Sequence, residues 1–131
     1  MEKSLELIVN DSEGEFYKGE VQSILSESSE GCFEILPNHV PVIILLTPTI
    51  TKFIEKDGKV LKAFTSIGLL KVKNNKVVIL CDSCEWPEEI DVERAKRAKK
   101  RAEDRLRHKE KIDKKRAELA LERALARLKA K

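Results

Sequence analysis

The C-terminal third of this chain contains no glycine, no proline and no aromatic residue. All five glycines, all four prolines and every phenylalanine, tyrosine and tryptophan lie at or before Pro87. The segment after Pro87 therefore has no turn former and no aromatic core, and its Ala, Leu, Lys, Arg and Glu composition predicts helices. The chain divides into residues 1–87, which must supply the turns and the core, and a helical segment, residues 88–131.

Other features are absent from the whole chain. The apolar run Val42–Leu46 is far too short to span a bilayer, and the first residues lack the basic-then-apolar order of a signal peptide. Three cysteines, an odd number, fit a reducing compartment. No GxGxxG, P-loop, HExxH or GxSxG motif occurs. We therefore expect a cytosolic, non-catalytic protein that associates with a membrane only through partners.

Period-two patterns in residues 1–87 predict short strands. The residues expected to share a strand face are Leu5, Leu7 and Val9; Val21, Ser23 and Leu25; and Leu70 and Val72. Asp57-Gly58 predicts a type I′ hairpin turn, and Asn74-Asn75 predicts a weaker version of it. Short strands with these turn signals indicate a β-sandwich or a barrel.

In residues 88–131 the apolar period becomes that of a helix. Two narrow stripes are expected: Ala95, Ala98, Ala102 and Leu106, and Ala117, Leu121, Ala124 and Leu128. Asp91 and Asp113 are the predicted N-caps of two helices. The connection from Arg107 to Ile112 has neither glycine nor proline, so an antiparallel hairpin and one continuous helix both remain open.

Charge is divided between the two segments. Residues 1–87 hold 9 lysines against 13 acidic residues, a net −4, and residues 88–131 hold 17 Lys and Arg against 10 acidic residues, a net +7. A basic helix can bind nucleic acid. However, Glu93 with Arg97 and Glu103 with Arg107 have the i, i+4 spacing of a self-paired, solvated face. No aromatic residue follows Trp86 to stack on bases, so nucleic-acid binding is not expected.

Cys81-Asp82-Ser83-Cys84 is a CxxC motif. A zinc site needs two more ligands, and the candidates Cys32, His39 and His108 are scattered along the chain. Cys81 ends an apolar strand rather than beginning a helix, which favours a small apolar residue over a redox centre. His39 has no neighbouring nucleophile or orienting carboxylate in the sequence, which favours a structural role.

Arg94 and Arg101 form the sharpest candidate for ligand binding. They are two helical turns apart, so they share a helix face at a spacing of ~10 Å. Planar guanidinium groups at that spacing suit a polyphosphate. Asp91, one turn before Arg94, can position that arginine or accept a hydrogen bond from a ribose or a base. A charged surface helix accounts for the same residues equally well.

Taken together, these segments resemble the ε subunit of the bacterial F-type ATP synthase over essentially the whole chain. Its G-x-x-G-I-L-P-x-H-x-P loop appears as residues 31–41, and its G-G-F-L-E-V segment appears partly as residues 67–72. Its I-D-x-x-R-A pattern appears as residues 90–95, and its second helix as residues 115–121. The resemblance implies an α+β two-domain protein. An N-terminal β-sandwich of about ten strands would occupy residues 1–87, and a C-terminal antiparallel two-helix hairpin residues 88–131.

The resemblance also implies partners. The chain would be a non-catalytic, peripheral subunit of the central rotor stalk at the cytoplasmic face of the cell membrane, bound to the γ subunit and to the c-ring. Its helices would either fold down as a hairpin or extend along γ towards the α/β catalytic subunits, and the extended form would block ATP hydrolysis. The loop facing the c-ring would include Glu30, Cys32, Glu34 and His39.

A regulatory ligand is implied as well. No cofactor is required, but in some members of the family ATP binds the folded hairpin, and the role of magnesium is left open. The corresponding positions here are Glu85, Asp91, Arg94 and Arg101. Two other classes of function remain open: a stand-alone nucleotide-binding sensor, and a basic helical hairpin that binds nucleic acid. Co-purification with a γ-like coiled coil separates the rotor subunit from both.

Overall fold

A computed structural model describes residues 3–107 and 114–131 of the chain. The strands within these residues are β1 (Leu5–Asp11), β2 (Gly14–Ser28), β3 (Gly31–Ile35), β4 (Val42–Leu46), β5 (Thr49–Glu55), β6 (Val60–Thr65), β7 (Gly68–Lys73), β8 (Lys76–Cys81) and β9 (Cys84–Glu85). A short 3-10 helix, Pro87–Glu89, leads into two helices, α1 (Val92–Arg107) and α2 (Lys114–Ala130). This is the predicted α+β architecture, a β-sandwich followed by two helices.

The sheet has the order β1-β8-β7-β4-β2-β5-β6-β9, with β3 paired to β2 and β1 also paired to β2. About ten strands were expected, and the described residues form nine. The longest of them, β2, runs for 15 residues. Its first half pairs with β1 and its second half with β3 and β5, so one long strand serves both layers.

The predicted alternation of β2 is wrong at one residue. Val21 and Ser23 are buried as expected, but Leu25 is only half-buried, whereas Ile24 and Ser26 are buried. The register with β5 shifts between Val21 and Ser23. A bulge of this kind turns all following side chains to the opposite face, which a strict period of two does not anticipate. In β1, by contrast, the predicted face of Leu5, Leu7 and Val9 is the buried one, as expected.

The type I′ turn occurs at Asn74-Asn75, where the sequence predicted the weaker version, and not at Asp57-Gly58. Asn74 and Asn75 both have positive φ, 52° and 59°, between the paired residues Lys73 and Lys76, which is the type I′ turn. At Asp57-Gly58 only the glycine has positive φ. The last paired residues of β5 and β6 are Ile54 and Val60, with five residues between them, whereas a type I′ hairpin has two. The amide of Gly58 donates to the carbonyl of Glu55 at 2.8 Å within this longer loop. The type I′ prediction at this hairpin is therefore wrong.

Both alanine stripes contribute to the contact between the helices. The members that are buried are Ala95, Ala102, Ala117 and Ala124. The two helices pack against each other as a hairpin, which decides between the two forms left open by the sequence in favour of the folded one. The predicted N-cap at Asp113 and the connection at residues 108–112 lie outside the described residues.

Helix α2 also packs on the outer face of the sandwich, against β5 and β6. The apolar part of this contact is small: Phe64 and Ile90 are buried with Ala126, and Ala130 packs against them. A separate and larger core fills the interior between the two layers, around Phe53. Because the two cores are separate, we expect residues 1–87 to fold without the helices.

Candidate functional site

Arg127 of α2 makes the most extensive polar contact between the helices and the sandwich. Its Nε donates to Oε1 of Glu85 at 2.8 Å, and both side chains are only about a quarter exposed, at 25% and 27%. Its terminal nitrogen lies 3.5 Å from the hydroxyl of Ser83, and its guanidinium stacks over the ring of Phe64 at 4.4 Å. A partly buried arginine that is hydrogen-bonded and stacked in this way fixes the position of α2.

Two further basic residues lie four positions before and four positions after Arg127: Arg123 within α2, and Lys131 directly after its last residue. Nε of Arg123 donates to the hydroxyl of Ser66 at 3.1 Å, and its terminal nitrogen lies 3.6 Å from the carboxylate of Asp82. Nζ of Lys131 donates to the carbonyl of Pro87 at 2.7 Å. We call Arg123, Arg127 and Lys131 the anchor residues. They hold α2 to the end of the sandwich from which α1 emerges.

Two of the predicted ATP-binding residues have structural partners. The carboxylate of Glu85 accepts the hydrogen bond from Arg127 described above. Asp91 is the N-cap of α1, because its Oδ1 accepts from the backbone amide of Arg94 at 3.0 Å, which confirms the predicted cap. Asp91 therefore positions the backbone of Arg94, and the structure shows no ion pair between the two side chains.

The other two predicted residues have no side-chain partner in the part of the chain that the structure describes. Arg94 and Arg101 are both exposed on α1, two turns apart, and neither side chain forms an ion pair or hydrogen bond within the described residues. Arg101 lines a shallow, open cavity of about 280 Å³ together with Arg97, Lys100 and Asp104. Nothing in the described part of the chain bonds Glu85 to the α1 residues, so the four are neighbours along one segment rather than one preformed cluster.

Arg123 and Arg127 were missed by the sequence reasoning, which followed the alanine stripes of α2. The available signal was their four-residue spacing, which places two guanidiniums on one helix face. Their partners, Ser66, Asp82, Ser83 and Glu85, lie at least 41 residues away along the chain. No local pattern predicts contacts at that separation.

The residues predicted to face the c-ring lie along the length of β3. Ser29 and Glu30 form the tip of the β2–β3 hairpin, and the exposed Cys32 and Glu34 lie on one face of β3 beyond that tip. His39 lies past the other end of β3, next to the Asn74-Asn75 turn, where the amide of Asn38 donates to Asn75 at 2.6 Å. The structure therefore brings Glu30, Cys32 and Glu34 together and leaves His39 apart from them.

An apolar face covers the outer side of β4, β7 and β8. Ile43 and Leu45 of β4 are 62% and 72% exposed, and Leu80 of β8 is 49% exposed. The half-buried Leu69 of β7 pairs with Leu45 on one side and with Leu80 on the other, so a row of three leucines crosses the three strands. We call Ile43, Leu45, Leu69 and Leu80 the apolar face. Exposed apolar clusters of this kind are typical of protein–protein contacts.

Metal binding finds no support in the part of the chain that the structure describes. No group of three or more His, Cys, Asp or Glu side chains is close enough there to hold an ion. His108, one of the scattered zinc candidates, lies outside the described residues. Within residues 3–107 and 114–131 no helix has the length and hydrophobicity needed to cross a membrane.

Comparisons with known proteins cover both segments. Residues 4–87 match the family described as ATP synthase, Delta/Epsilon chain, beta-sandwich domain, and residues 88–131 match its long alpha-helix domain. An ATP synthase epsilon chain of Clostridium kluyveri is 56% identical over 128 residues, which cover 98% of this chain and 97% of the relative. One of Clostridium botulinum strain Langeland is 51% identical over 131 residues, covering 100% and 98%.

Two solved structures show the same fold at low sequence identity. A chain of the Euglena gracilis mitochondrial ATP synthase (OSCP/F1/c-ring) matches with a TM-score of 0.86 and 22% identity, covering 96% of this chain and 80% of the other. A chain of the Tetrahymena thermophila mitochondrial ATP synthase central stalk and c-ring matches with a TM-score of 0.55 and 17% identity, covering 67% and 69%. The sandwich, the two helices and the full-length relatives agree, and the chain belongs to the ATP synthase delta/epsilon chain family.

Proposed function

We propose that this protein is a non-catalytic subunit of the rotor of a proton-translocating F-type ATP synthase, joining the γ subunit to the c-ring. Family membership over the whole chain carries this proposal. The two solved structures of the same fold come from assemblies that contain a c-ring or a central stalk, which is consistent with it. As part of such an assembly, the subunit would be held at the cytoplasmic face of the membrane by its partners.

The apolar face is the surface that we assign to the γ subunit. Ile43 and Leu45 are the most exposed large apolar side chains on a regular strand. They lie on the layer of the sandwich that is remote from α2, which packs on β5 and β6 instead. A partner bound to the apolar face therefore leaves the helices free to dock or to move. The hairpin tip at Glu30, with Cys32 and Glu34, remains available for the c-ring.

Replacement of Leu45 by glutamate is expected to weaken assembly with γ by ~10-fold or more, because burying an unpaired carboxylate in an apolar contact is costly. Val60, which is 47% exposed on β6, provides the matched control, since Val60→Glu places the same charge on the other layer of the sandwich. Co-purification of γ with each variant is the measurement. If both variants retain γ as the parent chain does, the apolar face is not its docking surface.

The helices form the regulatory part of the proposal. ATP would bind the folded hairpin at Arg94 and Arg101, whose exposed guanidiniums have no partner among the described residues. Asp91 and Glu85, near the start of α1, would complete the site. In the absence of ATP the extended helices would inhibit hydrolysis by contacting the catalytic subunits.

Alanine at Arg94 or at Arg101 is expected to weaken ATP binding to the isolated chain by ~1.5–3 kcal/mol, the range for hydrogen bonds to charged groups. Arg105→Ala is the control, because Arg105 is an exposed arginine of the same helix that is not a predicted ligand residue. Titration calorimetry measures the affinities, with and without magnesium. Equal losses in all three variants would indicate a general charge effect instead of a site.

A further inference from the structure

Three exposed lysines lie between the apolar face and the Asn74-Asn75 turn. Lys71 and Lys73 follow Leu69 at intervals of two residues in β7, so all three side chains lie on the outer side of this layer. Lys76 begins β8 and pairs directly with Lys73 across the turn. We call Lys71, Lys73 and Lys76 the lysine group.

The lysine group is continuous with the apolar face. The register places Lys71 between Ile43 of β4 and Val78 of β8, so its neighbours on both sides are apolar. Lys73 lies four residues beyond Leu69, a distance of ~13 Å along a strand, which is within the width of a protein–protein interface of standard size. A partner that covers the apolar face therefore covers Lys71 and reaches Lys73 and Lys76 at the margin of the contact.

The charge of the lysine group is not balanced within the described residues. None of its three members forms an ion pair there. Glu6 of β1 is the register partner of Lys76, but their charged groups are not within ion-pair distance. The next acidic residue, Glu20, pairs with Lys56 at 3.3 Å. This margin of the apolar face is therefore positive, although residues 1–87 carry a net charge of −4.

Protection of a sheet edge does not explain these lysines. Lysine is common on edge strands, where it prevents pairing with other chains. However, β7 lies between β4 and β8, and β8 lies between β7 and β1. Two lysines directly opposite each other also destabilise a strand pair. Lys52 and Lys62 form a second pair of this kind on β5 and β6, so it is the position beside the apolar face that distinguishes the lysine group.

We propose that the lysine group is the electrostatic part of the docking surface for γ, and that the γ segment covering the apolar face carries carboxylates that meet Lys73 and Lys76. This inference rests on the proposed function and adds the chemistry of the partner. Charges at the margin of an interface mainly raise the association rate, whereas buried apolar contacts slow dissociation. The lysine group steers γ to the sandwich, and the apolar face retains it.

Lys73→Glu tests this steering in the full chain. The measurement is its rate of association with an ATP synthase complex that lacks this subunit, at increasing salt concentration. At low ionic strength the variant should associate ~10-fold more slowly than the parent chain. The difference should disappear near 1 M salt, where the screening length is only ~3 Å. The dissociation rate should not change, in contrast to that of Leu45→Glu.

Lys62→Glu is the matched control, because it makes the same charge change opposite a lysine in the other layer of the sandwich. Each substitution places a carboxylate across from a lysine, Lys76 or Lys52, so both should raise the urea midpoint of the isolated chain. Only Lys73→Glu should slow association. Slower assembly of a more stable chain cannot be caused by misfolding.

Three results would overturn the proposal. One is an association rate of Lys73→Glu equal to that of the parent at low salt while Leu45→Glu is impaired, which would leave the proposed function intact. Another is equal slowing by Lys62→Glu, which would indicate an effect of net charge. The third is sedimentation of the parent chain with phosphatidylglycerol vesicles that is lost in Lys73→Glu, which would assign the lysines to a membrane surface. A parent chain that does not associate with the complex would reject the proposed function itself.

Discussion

Replacement of Arg127 by alanine is expected to release α2 from the sandwich while leaving the sandwich folded. The substitution removes a 2.8 Å hydrogen-bonded ion pair with Glu85 and the stacking of the guanidinium on Phe64. Because the pair is mostly buried, its loss should cost about 2 kcal/mol of docking free energy, or roughly thirtyfold in the docking equilibrium. Amide exchange in residues 115–130 should accelerate by that factor.

Two variants separate this effect from a general loss of charge. Arg116→Ala removes an exposed arginine of the same helix that forms no hydrogen bond or ion pair with the described residues of the sandwich, so exchange should stay at the parent rate. Glu85→Gln keeps an acceptor of the same shape but removes its charge, and an intermediate rate is expected. If Arg127→Ala accelerated amide exchange equally in the sandwich and in α2, the substitution would be destabilising the whole chain, and the prediction that Arg127 affects only the docking of α2 would be wrong.

Local patterns account for most of what the sequence predicted correctly. The alternation of Leu5, Leu7 and Val9 identifies the buried face of β1, because these residues follow the strand period without interruption. Asp91 is recognisable as an N-cap because its side chain bonds to an amide only three residues away. In both cases the interacting atoms are near neighbours along the chain or obey one fixed period.

Features that depend on the other strands were not predictable in the same way. The bulge after Val21 arises from the pairing of β2 with β5, and it moves Leu25 off the expected face. In β4, five consecutive apolar residues suggest burial on both sides, yet Ile43 and Leu45 are exposed. Exposed apolar clusters of this kind are typical of surfaces that bind a partner, and a partner leaves no period in the sequence of one chain.

The contacts of α2 could not be predicted, for the same reason. The resemblance to the family pattern predicts Glu85, Asp91, Arg94 and Arg101 as ligand residues, and this stays a prediction; all four lie in one continuous segment. The anchor residues Arg123 and Arg127 reach back to residues 66–85, and only the folded chain brings them together. Glu85 belongs to both groups, so the proposed ligand site and the observed docking of α2 share a residue.

Because Glu85 takes part in both, binding of ATP and docking of α2 should influence each other. We therefore predict that in the assembled enzyme the helices have two states, a folded hairpin and an extended form. The contact between α1 and α2 buries four alanines, and a buried methyl group contributes only ~0.8 kcal/mol. Residues 88–131 also carry the net charge of +7 derived above, which opposes a compact hairpin. Bound ATP would reduce that repulsion, and it shifts the equilibrium only by its preference for the folded form.

Spin labels at Lys96 and Leu125 should report this shift. Both side chains are exposed, and they lie near the ends of α1 and α2 that are remote from the connection, whereas Ala124 is buried and unsuitable for a label. One continuous helix would separate the two positions by ~44 Å, from 29 residues at 1.5 Å each. Packed helices lie only ~8–10 Å apart between axes, so ATP should move the distance distribution far below the extended value.

The measurement requires cysteine-free chains, with Cys32, Cys81 and Cys84 replaced by serine, in the complete ATP synthase. A second pair at Lys96 and Arg107 lies within α1 and should not respond to ATP, which controls for changes in label mobility. Arg101→Ala should abolish the response of the first pair, because it removes a proposed ligand while leaving the anchor residues in place. A first-pair distribution that is the same with and without ATP would show that the helices of this subunit do not sense the nucleotide. The proposed docking on γ would not be affected, since it depends on the opposite layer of the sandwich.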